Sequence, residues 1–204
     1  MDERLTAART LWPLLLLLAL STPLGAQNAL DRRGFWIGFG LGPGYATIDC
    51  ESCGRGGADD GPWDGGPGPT FYFGMGGAAR PNLLLGGVLE AWGRDDDPEL
   101  ASIGALSFIV QYYPVRRSGF YLRPGLGVGG AKLESPELDL ETVGMTGSLG
   151  LGYDVRVGRR FALSPMASVL QSFSEGTRVN TLFGDRAGPD FPRYFAFTLG
   201  FHWY

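Results

Sequence analysis

The chain has 204 residues, of which 44% are hydrophobic, 13% aromatic and 19% charged, with 34 glycines and a formal net charge of −4. The aromatic content argues against a disordered chain, and the glycines follow no G-X-Y period, which excludes collagen. The acidic balance leaves no basic footprint for nucleic acid, and the length fits one domain.

Residues 1–26 read as a secretory signal. Arg4 and Arg9 lie in the n-region beside Asp2 and Glu3, Leu11 to Leu20 form a short apolar core, and Pro23-Leu24-Gly25-Ala26 offers a cleavage site. The apolar core is half the length a spanning helix needs. The expected mature domain is therefore 27–204.

Downstream, the pattern is period-two alternation in eight runs. In Gly34–Tyr45, Phe35, Ile37, Phe39 and Leu41 share one face, and Trp36, Gly38, Gly40 and Gly42 the other. Phe71, Phe73 and Met75 oppose Tyr72, Gly74 and Gly76. The run from Leu83 is apolar on both faces as far as Glu90. Leu106, Phe108, Val110 and Tyr112 oppose Ala105, Ser107 and Gln111. Phe120, Leu122, Leu126 and Val128 oppose Tyr121, Arg123, Gly125 and Gly127. Val143, Met145, Leu149, Leu151 and Tyr153 oppose Thr146, Ser148, Gly150, Gly152 and Asp154. Phe161, Leu163, Ala167 and Val169 oppose Ser164, Met166 and Ser168. Last, Phe195, Phe197, Leu199, Phe201 and Trp203 oppose Ala196, Thr198, Gly200 and His202.

An even number of strands can close as an antiparallel up-and-down barrel with both ends on one side. The bulky apolar face recurs opposite a face of Gly, Ser, Thr and a few charges. A soluble ligand-binding barrel would reverse that arrangement, so the bulky face is expected outside, against lipid. Eight strands leave an interior just wide enough for side chains, which gives the inward glycines a purpose. Pro124 and Pro165 fall inside strands on the outward parity, and each is expected to mark a bulge.

The connections alternate in length. Longer links are expected at about 46–69, 93–101, 131–141 and 173–192, and short turns at Arg80-Pro81-Asn82, Pro114 to Gly119 and Val157 to Arg160. Outer-membrane barrels have long external loops and short periplasmic turns. The long links are acidic (Asp49, Glu51, Asp59, Asp60, Asp64, then Asp95, Asp96, Asp97 and Glu99), whereas the turns carry Arg80, Arg116, Arg117, Arg159 and Arg160. Arg32 and Arg33 precede the first strand on the turn side. The acidic links could simply be solvated ends, or could hold divalent cations near lipopolysaccharide. Without EF-hand spacing no metal site is assigned.

From GFWIGFGLGPGY at Gly34 to FAFTLGFHWY at Tyr204, the chain resembles small outer-membrane β-barrel proteins of the OmpA and OmpX type. YYPVRRSGFYLRPGLGVG (Tyr112–Gly129) and GLGYDVRVGRRFALSP (Gly150–Pro165) carry the same resemblance: a strand, an Arg-bearing turn, the next strand. The resemblance implies a bacterial outer-membrane location, contact with lipid and lipopolysaccharide, and recognition of the last strand by the outer-membrane assembly machinery. That signal would be Phe197, Leu199, Phe201, Trp203 and the terminal aromatic Tyr204. Here the apolar face ends at Trp203, and Tyr204 falls on the inward parity.

Cys50 and Cys53 are the only cysteines, and an exported chain meets an oxidising compartment, so a local disulfide is favoured. Redox use would want a cationic neighbour, and zinc would want more ligands than the single histidine, His202, supplies. Glu90, Arg123, Asp154 and Arg156 are the charged residues expected to point inward, and Arg123 and Asp154, near one turn, are expected to form a lumen ion pair, structural or, alternatively, gating a narrow proton or ion path. Resemblance to lipid-modifying barrels raises an enzyme reading. His202 lies at the opposite end from Ser52, Ser102, Ser135 and Ser174, so no Ser–His pair is expected, and no cofactor is implied. The expected function is non-catalytic, in envelope structure or surface interaction through acidic external loops. The alternative is a narrow pore or a path for small apolar molecules.

Overall fold

In a computed structural model of the chain, the structure describes residues 32–50, 63–96, 99–135, 138–173, 177–181, 184–186 and 190–204. The expected signal at 1–26 lies outside the described residues. The strands are β1 (Phe35–Cys50), β2 (Trp63–Arg80), β3 (Leu83–Asp96), β4 (Glu99–Tyr112), β5 (Phe120–Ser135), β6 (Leu138–Tyr153), β7 (Val155–Arg156), β8 (Phe161–Phe173), β9 (Thr177–Thr181), β10 (Gly184–Arg186) and β11 (Asp190–Trp203). Three short strands extend longer ones. β7 continues β6 against β8, β9 continues β8 against β6, and β10 lies between β9 and β11 in sequence, paired with β9. The eleven segments therefore make eight staves, and β1 pairs with β11 to close an antiparallel barrel.

The outer wall shows why the strands alternate as they do. On β5 the outward residues run Phe120, Leu122, Pro124, Leu126, Val128 and Gly130, and the next is Lys132. On β6 they run from Tyr153 to Val143, and the next is Glu141. On β3 Asp95 follows Gly93, and on β11 Arg193 follows Phe195. Each belt spans about ten residues. At about 3.4 Å per residue and a tilt near 40°, ten residues climb roughly 26 Å, close to the ~25 Å apolar band of outer-membrane barrels. Phe35, Phe120 and Trp203 mark its lower rim; Tyr45 and Phe195, register partners, mark its upper rim.

Above that band the ladders continue. Residues 93–96 and 99–101 stay paired between β3 and β4, as do 131–135 and 138–142 between β5 and β6. The connections expected at 93–101 and 131–141 are thus mostly strand. Backbone pairing satisfies the same hydrogen bonds in water as in lipid, so the hairpins end where the turn comes rather than where the apolar belt ends. Lys132 faces Glu141 across one such pair and bonds Glu134 on its own strand.

The prolines behave differently from expectation. No register shift occurs at Pro124 or Pro165; among the described strands the shifts fall at Ala46/Thr47 and Ala78/Arg80. Instead, the ladder beside each proline lapses on one side. β4–β5 pairing skips from Ile109↔Gly125 to Tyr112↔Leu122 in constant register, passing Arg123-Pro124. The stave of β6 and β7 skips from Gly152↔Met166 to Val155↔Leu163, passing Pro165. β1–β11 pairing skips Gly42-Pro43 in the same way. A missing N–H needs only one bond withdrawn, not an extra residue.

Candidate functional site

The lumen is a packed column. Trp36, Tyr72, Trp92, Tyr113 and Tyr121 are all buried and point inward, and glycines on adjacent staves make room for them. Tyr72 lies across Gly40 and Gly200, where an added Cβ would overlap its ring or hydroxyl. Gly152 receives the Tyr121 ring in the same manner. Two apolar clusters result. The lower one includes Trp36, Leu84, Val88, Ile109 and Met166; the upper one is lined by Ala46, Ala101, Ala105, Ala131 and Ala196 with Trp92 and Tyr194.

Charge enters this column at two levels. In the middle, Arg123 Nη2 donates to Glu90 Oε1 at 2.9 Å, with both side chains buried, and the guanidinium lies 4.7 Å from the Tyr72 ring centroid. At the turn end, Asp154 sits at the centre of a network. It accepts from Tyr113 at 2.7 Å and Tyr204 at 2.5 Å, and its other oxygen is 3.1 Å from His202 Nδ1. Because the carboxylate only accepts, that ring nitrogen donates, and Nε2 shares a hydrogen bond with the Tyr72 hydroxyl at 3.0 Å. Arg32 closes the floor. Its guanidinium lies 3.5 Å over the Tyr113 ring and 3.7 Å from Asp154, and it donates to the Ser118 carbonyl.

The expected Arg123–Asp154 pair is therefore corrected: each has a different partner. Arg123 stands opposite Gly150, and Asp154 lies four residues further toward the turn, a step of about 13 Å along the strand. Arg123 instead meets Glu90 on β3, two staves away. Sequence reasoning placed Glu90 and His202 inward but chose neither as a partner. It missed Tyr113 and Arg32, for which the only signals were inward parity at Tyr113 and a basic residue ahead of the first strand.

Phe197, Leu199 and Trp203 face outward, while Tyr204 is buried beneath the barrel, as their parities require. Cys53 lies outside the described residues, as does the side chain of Cys50. An acid, a histidine and a hydroxyl do meet, as Asp154, His202 and Tyr72. They have the order of a catalytic relay. Asp154 and His202 are 0% exposed and Tyr72 2%, so no substrate atom can approach that hydroxyl, and the arrangement is a structural brace.

No family model matches the chain, and no curated protein matches its sequence. Solved structures do. Neisserial surface protein A superposes with a TM-score of 0.59 at 11% identity, covering 83% of this chain and 96% of that one. The fold is that of a small outer-membrane β-barrel. The outer-membrane protein AlkL, solved by solid-state NMR in lipid bilayers, superposes with a TM-score of 0.50 at 15% identity over 90% of this barrel chain and 96% of its own. An enzyme, the outer membrane protease OmpT from Escherichia coli, also matches, but a TM-score of 0.40 at 8% identity carries no argument about catalysis.

Proposed function

We propose that the protein resides in the outer membrane as a non-catalytic barrel, serving envelope structure or surface interaction through its acidic external end. The observation that carries this reading is the closed floor. Arg32, Tyr113, Asp154, His202 and Tyr204 join side chains from several staves into one bonded layer across the turn end of the lumen. An eight-stranded barrel has little free bore to begin with. The external end, in contrast, exposes Asp95 and Asp96 on strands that rise past the apolar belt, and β1 and β2 bring Asp49 and Asp64 to the same end.

The lipid and the lipopolysaccharide of the outer membrane are the partners this surface meets first, and the assembly machinery would read the last strand from Phe197 to Tyr204. A local Cys50–Cys53 disulfide would stiffen the first external link.

A second reading, narrow conduction, has its own support. Glu90 Oε2, Arg123 Nη1, Ser107 Oγ, Thr146 Oγ1 and Thr198 Oγ1 are buried without a protein partner, and such atoms ask for water. Purified barrel in planar bilayers separates the two. The structural reading expects no conductance steps, and regular single-channel steps from the wild-type protein would overturn it.

A further inference from the structure

The turn end carries a second feature beside the floor network. An open groove of about 960 Å³ lies where β1, the turn before β8 and the end of β11 converge. Arg33, Arg156, Arg159 and Arg160 line it with Phe35, Trp203 and the floor residue Tyr204, and no Asp or Glu does among the described residues. The volume lies within the range of ligand clefts. Phe35 and Trp203 are 60% and 58% exposed on the outward parity, so the groove reaches the lipid-facing rim. Directly above, Phe201 stacks between Phe39 at 5.3 Å and Phe161 at 5.9 Å, an aromatic strip on the same wall. Four guanidinium groups below an apolar strip match a molecule with a phosphate at the interface and hydrocarbon above it. Guanidinium groups are planar donors suited to phosphate oxygens, and aromatic rings suit the headgroup level.

We propose that this groove is a binding site for the phosphate of an anionic phospholipid in the periplasmic leaflet. The guanidinium groups would hold the phosphate ester, while Trp203, Phe35 and the Phe39–Phe201–Phe161 strip receive the glycerol and upper acyl segments. The four cations select a net anionic headgroup over a zwitterionic one, whose ammonium they repel. The site fixes the height of the barrel on the side where the chain closes, β1 against β11.

The test uses the mature barrel in nanodiscs of equal phosphatidylglycerol and phosphatidylcholine, followed by native mass spectrometry of the lipid retained after release. One phosphatidylglycerol is expected to be kept over phosphatidylcholine by roughly tenfold, the factor that one net charge-assisted hydrogen bond supplies. Arg159→Gln with Arg160→Gln should remove the preference, whereas Arg116→Gln with Arg117→Gln, on the turn between β4 and β5, should leave it intact. Heat-modifiable gel mobility identifies folded variants; if the double variant fails that check, Arg156→Gln alone is read in its place. Equal retention of the two lipids, or equal loss in both turn variants, would overturn the proposal. Displacement of the retained lipid by millimolar glycerol phosphate would reassign the groove to soluble phosphates and overturn the lipid assignment.

Discussion

Glu90 and Arg123 meet at 2.9 Å inside a column of aromatic rings, both shielded from bulk solvent. Removing one partner strands the other, and such losses run to about 3–5 kcal/mol, whereas replacing both by apolar groups of similar size is often neutral. Arg123→Met and Glu90→Leu are each expected to lower the midpoint of reversible urea unfolding in lipid vesicles, and the double variant to recover most of the loss. Additive losses would show that the two side chains act separately. Tyr72 tests packing at the same scale. Its ring occupies the space left by Gly40 and Gly200 on its way to His202. Gly40→Val should reduce the folded fraction, and Tyr72→Ala in the same chain should restore part of it. No rescue would mean that the close approach of the Gly200 backbone, not the ring, demands glycine at position 40.

At the scale of the strand, the outward residues divide into a belt and an extension. Leu126 on β5 lies near the middle of the belt, about 16 Å above its lower rim, and Lys132 lies just past the upper rim. Leu126→Arg should destabilise the barrel by about 2–4 kcal/mol in a bilayer, the cost of a cation at the midplane, while Lys132→Leu should change stability little. Vesicle unfolding titrations measure both; equal effects would mean the belt is misplaced along the strand. The prolines belong to this scale too. Pro43, Pro124 and Pro165 each sit where one ladder lapses for two residues without changing register. That is how a closed sheet accommodates a residue lacking an N–H when no edge is available.

For the whole molecule, closure matters most. β1–β11 pairing closes the ring, and the floor network ties Arg32, ahead of β1, to Asp154, after β6, and to Tyr204, after β11. Such a barrel should resist detergent until heated, so unboiled samples should migrate differently from boiled ones. Asp154→Asn weakens the acceptor at the centre of the floor and should lower the temperature at which the unboiled band is lost. An unchanged transition would show that closure, not the floor, sets that temperature.

The sequence by itself determined the eight alternating runs, the face that each side chain takes and the chemistry of the two ends. Side-chain direction in a strand has a strict period of two, and a lipid-facing wall must be apolar at every second position. It also carried the inward placement of Glu90, Arg123, Asp154 and His202. Only the tertiary structure decided who meets whom. Arg123 finds Glu90 two staves away, and Asp154 gathers His202, Tyr113, Tyr204 and Arg32 from distant parts of the chain. Periodicity encodes direction, not height. Height depends on register accumulated around the closed ring, and no single strand contains that information.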